Sequence, residues 1–412
     1  MNERVHIFKY INLLLTPAAL MLAGRAIQYL SQLIMVLVVP KVLAPELYVK
    51  LNLVLPLAFL GVSLVFGWMI NAIYRHVFEL LDTSSDRFKQ TVFFYYASVS
   101  LLLFLIAFIG QIYTSSVYTL IPVLLVAAAL KNGVLGVLNT SGNSKGFLLT
   151  NTGFAISLLL FVVLSFLDTE NKLSRNLIIY ASIDIFVACI AWWLLGVFRI
   201  PPFPKFSRDI ASRYFRYGSP LVAKMMGIWV ISLSDRYFLT FWEGSKEVAS
   251  YILSYQLAGS AITIPMSFVM AIVFPKILKI EKNESQKEAL SYTYKLLRIY
   301  SRFMIPVFII VSFVVIMFQY YIYPNYHFTP YIIVIIVLAH IIFELSHFYN
   351  KEFELNGRTI VVTKGIAIGA IVNVVLNLVL IPFFGGIGAA IATLLAYSVA
   401  VYITYNMREY RP

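Results

Sequence analysis

The sequence predicts an all-α, polytopic membrane protein of about 12 transmembrane helices, arranged as two six-helix lobes forming a V-shaped cleft. Three observations predict it. The 412-residue chain is 60% hydrophobic and only 12% charged, where a soluble protein carries about 25% charged residues. Apolar windows long enough to span a bilayer recur along its whole length. A basic, proline-rich connection divides those windows evenly.

A spanning helix needs about 20 mostly apolar residues, and twelve windows qualify. They cover residues 16–39, 50–71, 91–111, 117–139, 147–167 and 176–198, then 217–240, 248–275, 303–321, 330–349, 360–382 and 387–405. The first and eighth are long, which predicts tilting or kinking at Pro17 and Pro265. MNERVHIFKYINLLLTP has charges before an apolar run but no small-residue cleavage site at the right distance. It reads as a cytoplasmic lead into the first helix, not a removable signal peptide. The 27 Tyr and 32 Phe suit interfacial belts and helix packing. Cys189, the single cysteine, sits in an apolar run and reads as a packing residue.

Lys and Arg set the orientation. With both termini inside, about 23 of the 32 cations lie in cytoplasmic segments and about five outside. That asymmetry is the positive-inside pattern. It accounts for most of the +13 net charge without a nucleic-acid partner. Residues 199–216 (RIPPFPKFSRDIASRYFR) form the proline-rich, then basic-amphipathic connection. They predict a cytoplasmic linker between an N-terminal lobe (1–198) and a C-terminal lobe (217–412). An irregular crossing should lead into a short helix in the plane of the headgroups. Residues 275–302 read as a second interfacial helix. The outside loops are all short.

An internal repeat supports the two lobes. LAPELYVKLNL after segment one and GSKEVASYIL after segment seven are both short acidic-polar turns that lead into the next span. Aligning Val49 with Ala249 brings Arg25 within one residue of Lys224. SGNSK after segment four resembles LNGR after segment ten.

Four cations belong to neither face: Arg25, Lys131, Lys224 and Arg236. Arg236 follows Asp235 at the outer end of segment seven and reads as an interfacial anchor. The other three lie 6–10 residues from the inner ends of segments one, four and seven, at a depth of about 9–15 Å. Snorkelling would satisfy one such residue. Three at one depth suggest a water-filled cleft, cationic in its cytoplasmic half, with Arg75 at its inner mouth. Such a cleft suits an anion, and a diphosphate is the natural membrane-confined candidate.

Acidic groups are sparser. Asp184 lies near the middle of segment six, and His340, Glu344 and His347 share one face of segment ten. That face fits a buried structural network or a proton-titrating site. No Cys or second acidic ligand accompanies it, so no metal is expected. The repeat puts Glu344 level with Lys131, where the two could pair. No nucleophile–base set or phosphate loop is visible, so neither catalysis nor a cofactor is expected. GGIGAA (385–390) reads as a tight turn with close helix packing.

Several stretches carry a family resemblance. YFRYGSPLVAK (214–224), LSDRYFLTFWEGSKEVASYILSYQLA (233–258) and IVFPKIL (272–278) resemble the entry into the second lobe of polysaccharide flippases. In that family a basic segment and Gly-x-Pro precede a helix ending in Asp-Arg. VNVVLNLVLIPFFGGIGAAIATLLAY (372–397) is similar to the family's last hairpin, with Asn-x3-Asn, Ile-Pro and Gly-x-x-Gly-Ala-Ala. APELYVKLNLVLPLAFLGVSLVFGWMINAIYRH (44–76) resembles its second helix. The chain thus resembles the Wzx-type oligosaccharide (O-antigen) flippases of the multidrug/oligosaccharidyl-lipid/polysaccharide exporter superfamily. Val49 and Ala249 stand where the family usually has Gly.

The resemblance implies alternating access between two bundles and translocation of undecaprenyl-diphosphate-linked oligosaccharide across a bacterial inner membrane. Read onto this chain, Arg25 and Lys224 would hold the diphosphate, Lys131 would assist and Arg75 would attract it. Asp184, His340, Glu344 and His347 would serve H+ or Na+ coupling or gating. A polymerase and a chain-length regulator would be partners. Two rivals remain. A drug exporter of the superfamily would prefer an anionic cavity, against the Lys/Arg excess. A membrane glycosyl polymerase would need a large outside loop.

Overall fold

The computed structural model describes residues 16–82, 86–114, 116–167, 173–198 and 206–409. The protein is all-helical there. In chain order the helices are α1 (Pro17–Val42), α2 (Pro45–Gly61), α3 (Gly67–Arg75), α4 (Val77–Leu81) and α5 (Asp86–Thr114). Then come α6 (Ile121–Thr140), α7 (Ser144–Leu167), α8 (Leu173–Leu194), α9 (Arg208–Leu233) and α10 (Asp235–Trp242). The last are α11 (Ser245–Asn283), α12 (Gln286–Ile322), α13 (Pro330–Glu344), α14 (Ser346–Leu355) and α15 (Ile360–Asn406).

Among the described residues ten spans are long and apolar enough to cross a membrane, counting α2 with α3 and α13 with α14 as one span each. Two expected segments are missing from the ten, and each has a physical reason. Segment seven is α9 with α10, where Gly218, Ser219, Pro220 and Lys224 dilute the apolar run. Segments eleven and twelve are fused in the 47-residue α15, but the backbone breaks at Gly385, at φ 52° and ψ −131°. A Cβ there would collide with the Glu243 carboxylate. Only glycine takes this conformation cheaply, so GGIG forms the tight turn expected of it.

Three local expectations are corrected. Pro17 does not kink a helix. It opens α1 at its first position, where a missing N–H costs nothing, and the Thr16 hydroxyl accepts from the Ala19 N–H at 3.3 Å. The stretch 208–216 is not a separate in-plane helix but the first turns of α9, which runs unbroken to Leu233. Residues 286–302 likewise begin the 37-residue α12, capped by Ser285. Nothing in either stretch forces a stop before the span. The proline-rich residues 199–205 of the expected crossing lie outside the described residues.

Contacts gather the chain into two units, Met1–Val222 and Ala223–Pro412. In the first, α1 packs on α7, and α6 contacts α2, α5 and α8. A π-helical turn, Val62–Phe66, joins α2 to α3. Such a turn strains the local carbonyl ladder. The Val65 carbonyl accepts from the Tyr95 hydroxyl at 2.6 Å, and that hydroxyl accepts from the Trp68 indole N–H at 3.0 Å. The N-terminal half of α9 reaches α3 through Gly218, where a Cβ would overlap the Trp68 backbone.

In the second unit, α13 and α15 form the central pair, with α10, α11 and α12 around them. Ile231, Ala339, Phe353, Val362 and Tyr397 make its buried core. Outward, α5 exposes Leu101, Leu105, Phe108 and Ile112, all at least half exposed. An apolar stripe of that size needs lipid against it.

Candidate functional site

The first unit holds a cavity of about 400 Å³ among α1, α2, α6, α7 and α8, largely apolar with a group of polar side chains in its wall. Lys131 on α6 and Asp184 on α8 meet in its wall, Nζ to Oδ2 at 3.1 Å. Asp184 is almost fully buried, and its other oxygen accepts from the Ser157 hydroxyl on α7. Both carboxylate oxygens are thus satisfied, one by a charge and one by a hydroxyl. That is the condition under which a buried ion pair is tolerable. The ammonium also sits 4.5 Å from the Phe154 ring centroid. Gln28, Gln32, Asn132 and Asn151 supply amide groups to the same cavity. The site offers neutral hydrogen-bonding capacity and a tethered, compensated cation.

Arg25 on α1 is half-buried, and its guanidinium donates to the Asn139 side-chain oxygen at 3.2 Å. This bond is to a neutral amide, so the charge is uncompensated there. Arg75 ends α3 and is exposed. Lys224 lies in the second unit on α9, half-buried, and among the described residues no hydrogen bond or ion pair engages its ammonium.

Lys131, expected to pair with Glu344, is taken within its own unit by Asp184, and within the other unit Glu344 lies 3.1 Å from the Nε2 of His347. The segment-ten face is also divided. The helix breaks at Leu345 between α13 and α14. Glu344 is buried while His347 is about half exposed. His340 turns elsewhere: its Nδ1 lies 2.9 Å from the Ile336 carbonyl, so Nδ1 is the protonated nitrogen. Its ring packs edge-on against Tyr255 and Tyr397, at 5.4 and 5.8 Å. Among the described residues no group of three His, Cys, Asp or Glu side chains could hold a metal.

Sequence reasoning missed one constellation. Arg236, read as an interfacial anchor, is only 4% exposed, and Asp235 is fully buried. The Asp235 carboxylate accepts from the Arg236 backbone N–H at 2.8 Å and from the Tyr251 hydroxyl. The guanidinium stands 5.7 Å from the Tyr255 ring. Tyr397, against the same His340, also shares a 2.8 Å hydrogen bond with Ser232. The signal lay in the Asp-Arg pair itself: a span that merely ended there would not need Tyr251 and Tyr255 at matching depth one helix later.

Residues 176–325 match the polysaccharide biosynthesis protein family. An uncharacterized membrane protein of Methanocaldococcus jannaschii is 29% identical over 206 residues, which are 48% of this chain and 40% of that protein. The match therefore spans well under two thirds of that relative. Among solved structures, the lipid II flippase MurJ in an inward closed conformation superposes with a TM-score of 0.72. It is 15% identical, over 96% of this chain and 88% of its own. A MOP superfamily transporter from Pyrococcus furiosus gives 0.59 at 13% identity, over 94% and 93%. An inward-facing multidrug resistance MATE family transporter gives 0.62 at 13% identity, over 94% and 93%. At these identities the structures speak for the fold. The comparisons bear out the resemblance read from the sequence as far as they reach: the chain is a multi-pass membrane protein with the fold of MurJ and the MATE transporters, and part of it is similar to a polysaccharide biosynthesis family.

Proposed function

We propose that the protein is a flippase for a lipid-diphosphate-linked oligosaccharide, carried from the cytoplasmic to the outer leaflet of a bacterial inner membrane by alternating access. One observation carries the reading. Arg25 on the membrane-length α1 and Lys224 on the less apolar α9 are half-buried cations, one in each unit, and no carboxylate compensates either among the described residues. A charge at bilayer depth is costly and is kept where it serves a pathway. A diphosphate on a polyprenyl anchor is an anion confined to the membrane. Likeness to a lipid II flippase and to a polysaccharide biosynthesis family points the same way.

In this reading Arg25 and Lys224 take the diphosphate, and Arg75 draws it to the inner mouth. Lys131, whose charge Asp184 balances, contributes N–H donors for sugar hydroxyls more than net charge. Asp184, and the His340, Glu344 and His347 groups, remain the candidates for H+ or Na+ coupling or gating. A polymerase and a chain-length regulator would receive the product. Both termini would be cytoplasmic.

The test is translocation of a fluorescent undecaprenyl-diphosphate-linked saccharide in proteoliposomes. Lys224→Ala and Arg25→Ala should each lower the rate at least tenfold with insertion unchanged. Lys224→Arg should keep part of it, since the charge survives while the geometry changes. Wild-type rates in both alanine variants would overturn the assignment.

A further inference from the structure

The second unit carries a groove that the proposed function does not use. It is a furrow of about 420 Å³ between α11 and α12, with Phe348 of α14 also in its wall. Its walls are apolar: Ile262, Met266 and Val269 on one side, Leu296 and Phe303 on the other. The polar atom of Tyr300, which also lines it, is satisfied elsewhere, since the hydroxyl donates to the Ile341 carbonyl at 2.9 Å. The groove therefore offers no hydrogen bond to its occupant.

Its lower end is different. Lys276 follows Val273 by three residues and so lies on the groove-facing side of α11. It is exposed, and its ammonium stands 4.7 Å from the ring centroid of Tyr292 on α12. Lys295, Arg298 and Arg302 are exposed on the neighbouring turns of α12. The apolar trough thus has Lys276 at its end and Lys295, Arg298 and Arg302 along its α12 side, with Glu281, Glu284 and Glu288 further toward the tip of the hairpin.

The lengths select the occupant. From Ser245, at the start of α11, to Lys276 is about 46 Å at 1.5 Å per residue. A bilayer with its headgroups is about 40–45 Å thick. With Ser245 at one surface, Lys276 stands at the headgroups of the other. The groove from Ala261 to Val273 covers about 18 Å of that helix, which is one leaflet. A long polyprenyl chain would outrun it, whereas an ordinary bilayer lipid fits.

The geometry points to a binding site for an anionic bilayer phospholipid: one acyl chain lies in the α11–α12 groove, and the phosphate headgroup meets Lys276. The site does not depend on what the protein transports. A lipid seated there would hold the long α11–α12 hairpin against α14.

Native mass spectrometry of the full chain tests it, after reconstitution into nanodiscs of equal phosphatidylglycerol and phosphatidylcholine and mild detergent release. The wild type should retain one phospholipid, with phosphatidylglycerol preferred. Lys276→Gln, a surface change that leaves the fold intact, should cut that preference about fivefold, the worth of one Lys near an anionic headgroup. Val269→Trp should fill the groove and abolish retention while the protein stays monodisperse. Equal retention of the two lipids by the wild type would overturn the site. So would an unchanged preference in Lys276→Gln, undiminished retention in Val269→Trp, or retention of a co-purified polyprenyl lipid instead.

Discussion

Lys131 and Asp184 show how a single side chain changes meaning once its partner is known. They are 53 residues apart in sequence, and composition gave no hint that they meet. The unpaired reading of Lys131 suggested an anion site; the ion pair leaves a neutral, amide-rich wall. The cost of breaking it is asymmetric. Lys131→Ala strands a carboxylate that is about 2% exposed, and such a loss costs about 3–5 kcal/mol. Replacing both partners by apolar residues of similar size, as in Lys131→Met with Asp184→Leu, should recover most of it. Thermal melts of the purified single and double variants in one detergent decide this. A double variant no more stable than Lys131→Ala would show that the pair is not the source of the effect. The buried Asp235 was missed for a related reason: a charge at the end of a span reads as interfacial until its neighbours Tyr251 and Tyr255 are seen.

At the scale of elements, what was legible was whatever depends on apolar length. All twelve windows were read from apolar length, though segment seven is the least apolar of them. Continuity was not legible. Basic-amphipathic stretches such as 208–216 and 286–302 have one composition whether they lie in the headgroups or prolong a span. Here both prolong spans. The break between segments eleven and twelve is the opposite case, since GGIG announces it and Gly385 executes it. Gly385→Ala should therefore destabilise the last hairpin twice over, by backbone strain of about 1–3 kcal/mol and by collision with Glu243. Adding Glu243→Ala should relieve only the collision. A melting temperature for Gly385→Ala equal to that of the wild type would mean the turn does not need its left-handed backbone.

For the molecule as a whole, transport from one leaflet to the other depends on which side of the membrane each end of a helix faces. The α11 helix is 39 residues long, about 58 Å, so it overruns the roughly 30 Å hydrocarbon core and both ends should reach water. Its first turn carries Lys246 and Glu247, and its last three turns carry Lys276, Lys279 and Lys282 against Glu281 alone. If cations collect on the cytoplasmic side, Glu247 would lie outside and Glu284 inside. Both are exposed. The chain has one cysteine, Cys189, so a Cys189→Ser background makes site-directed labelling clean. In intact spheroplasts a membrane-impermeant maleimide should label Glu247→Cys fully and Glu284→Cys only after permeabilisation. The reverse pattern would invert the topology, putting Arg25 and Lys224 nearer the outer leaflet, where a cytoplasmic donor lipid could not first meet them. Labelling of both from one side would remove α11 as a span, and with it the two-unit transporter on which the flippase reading depends.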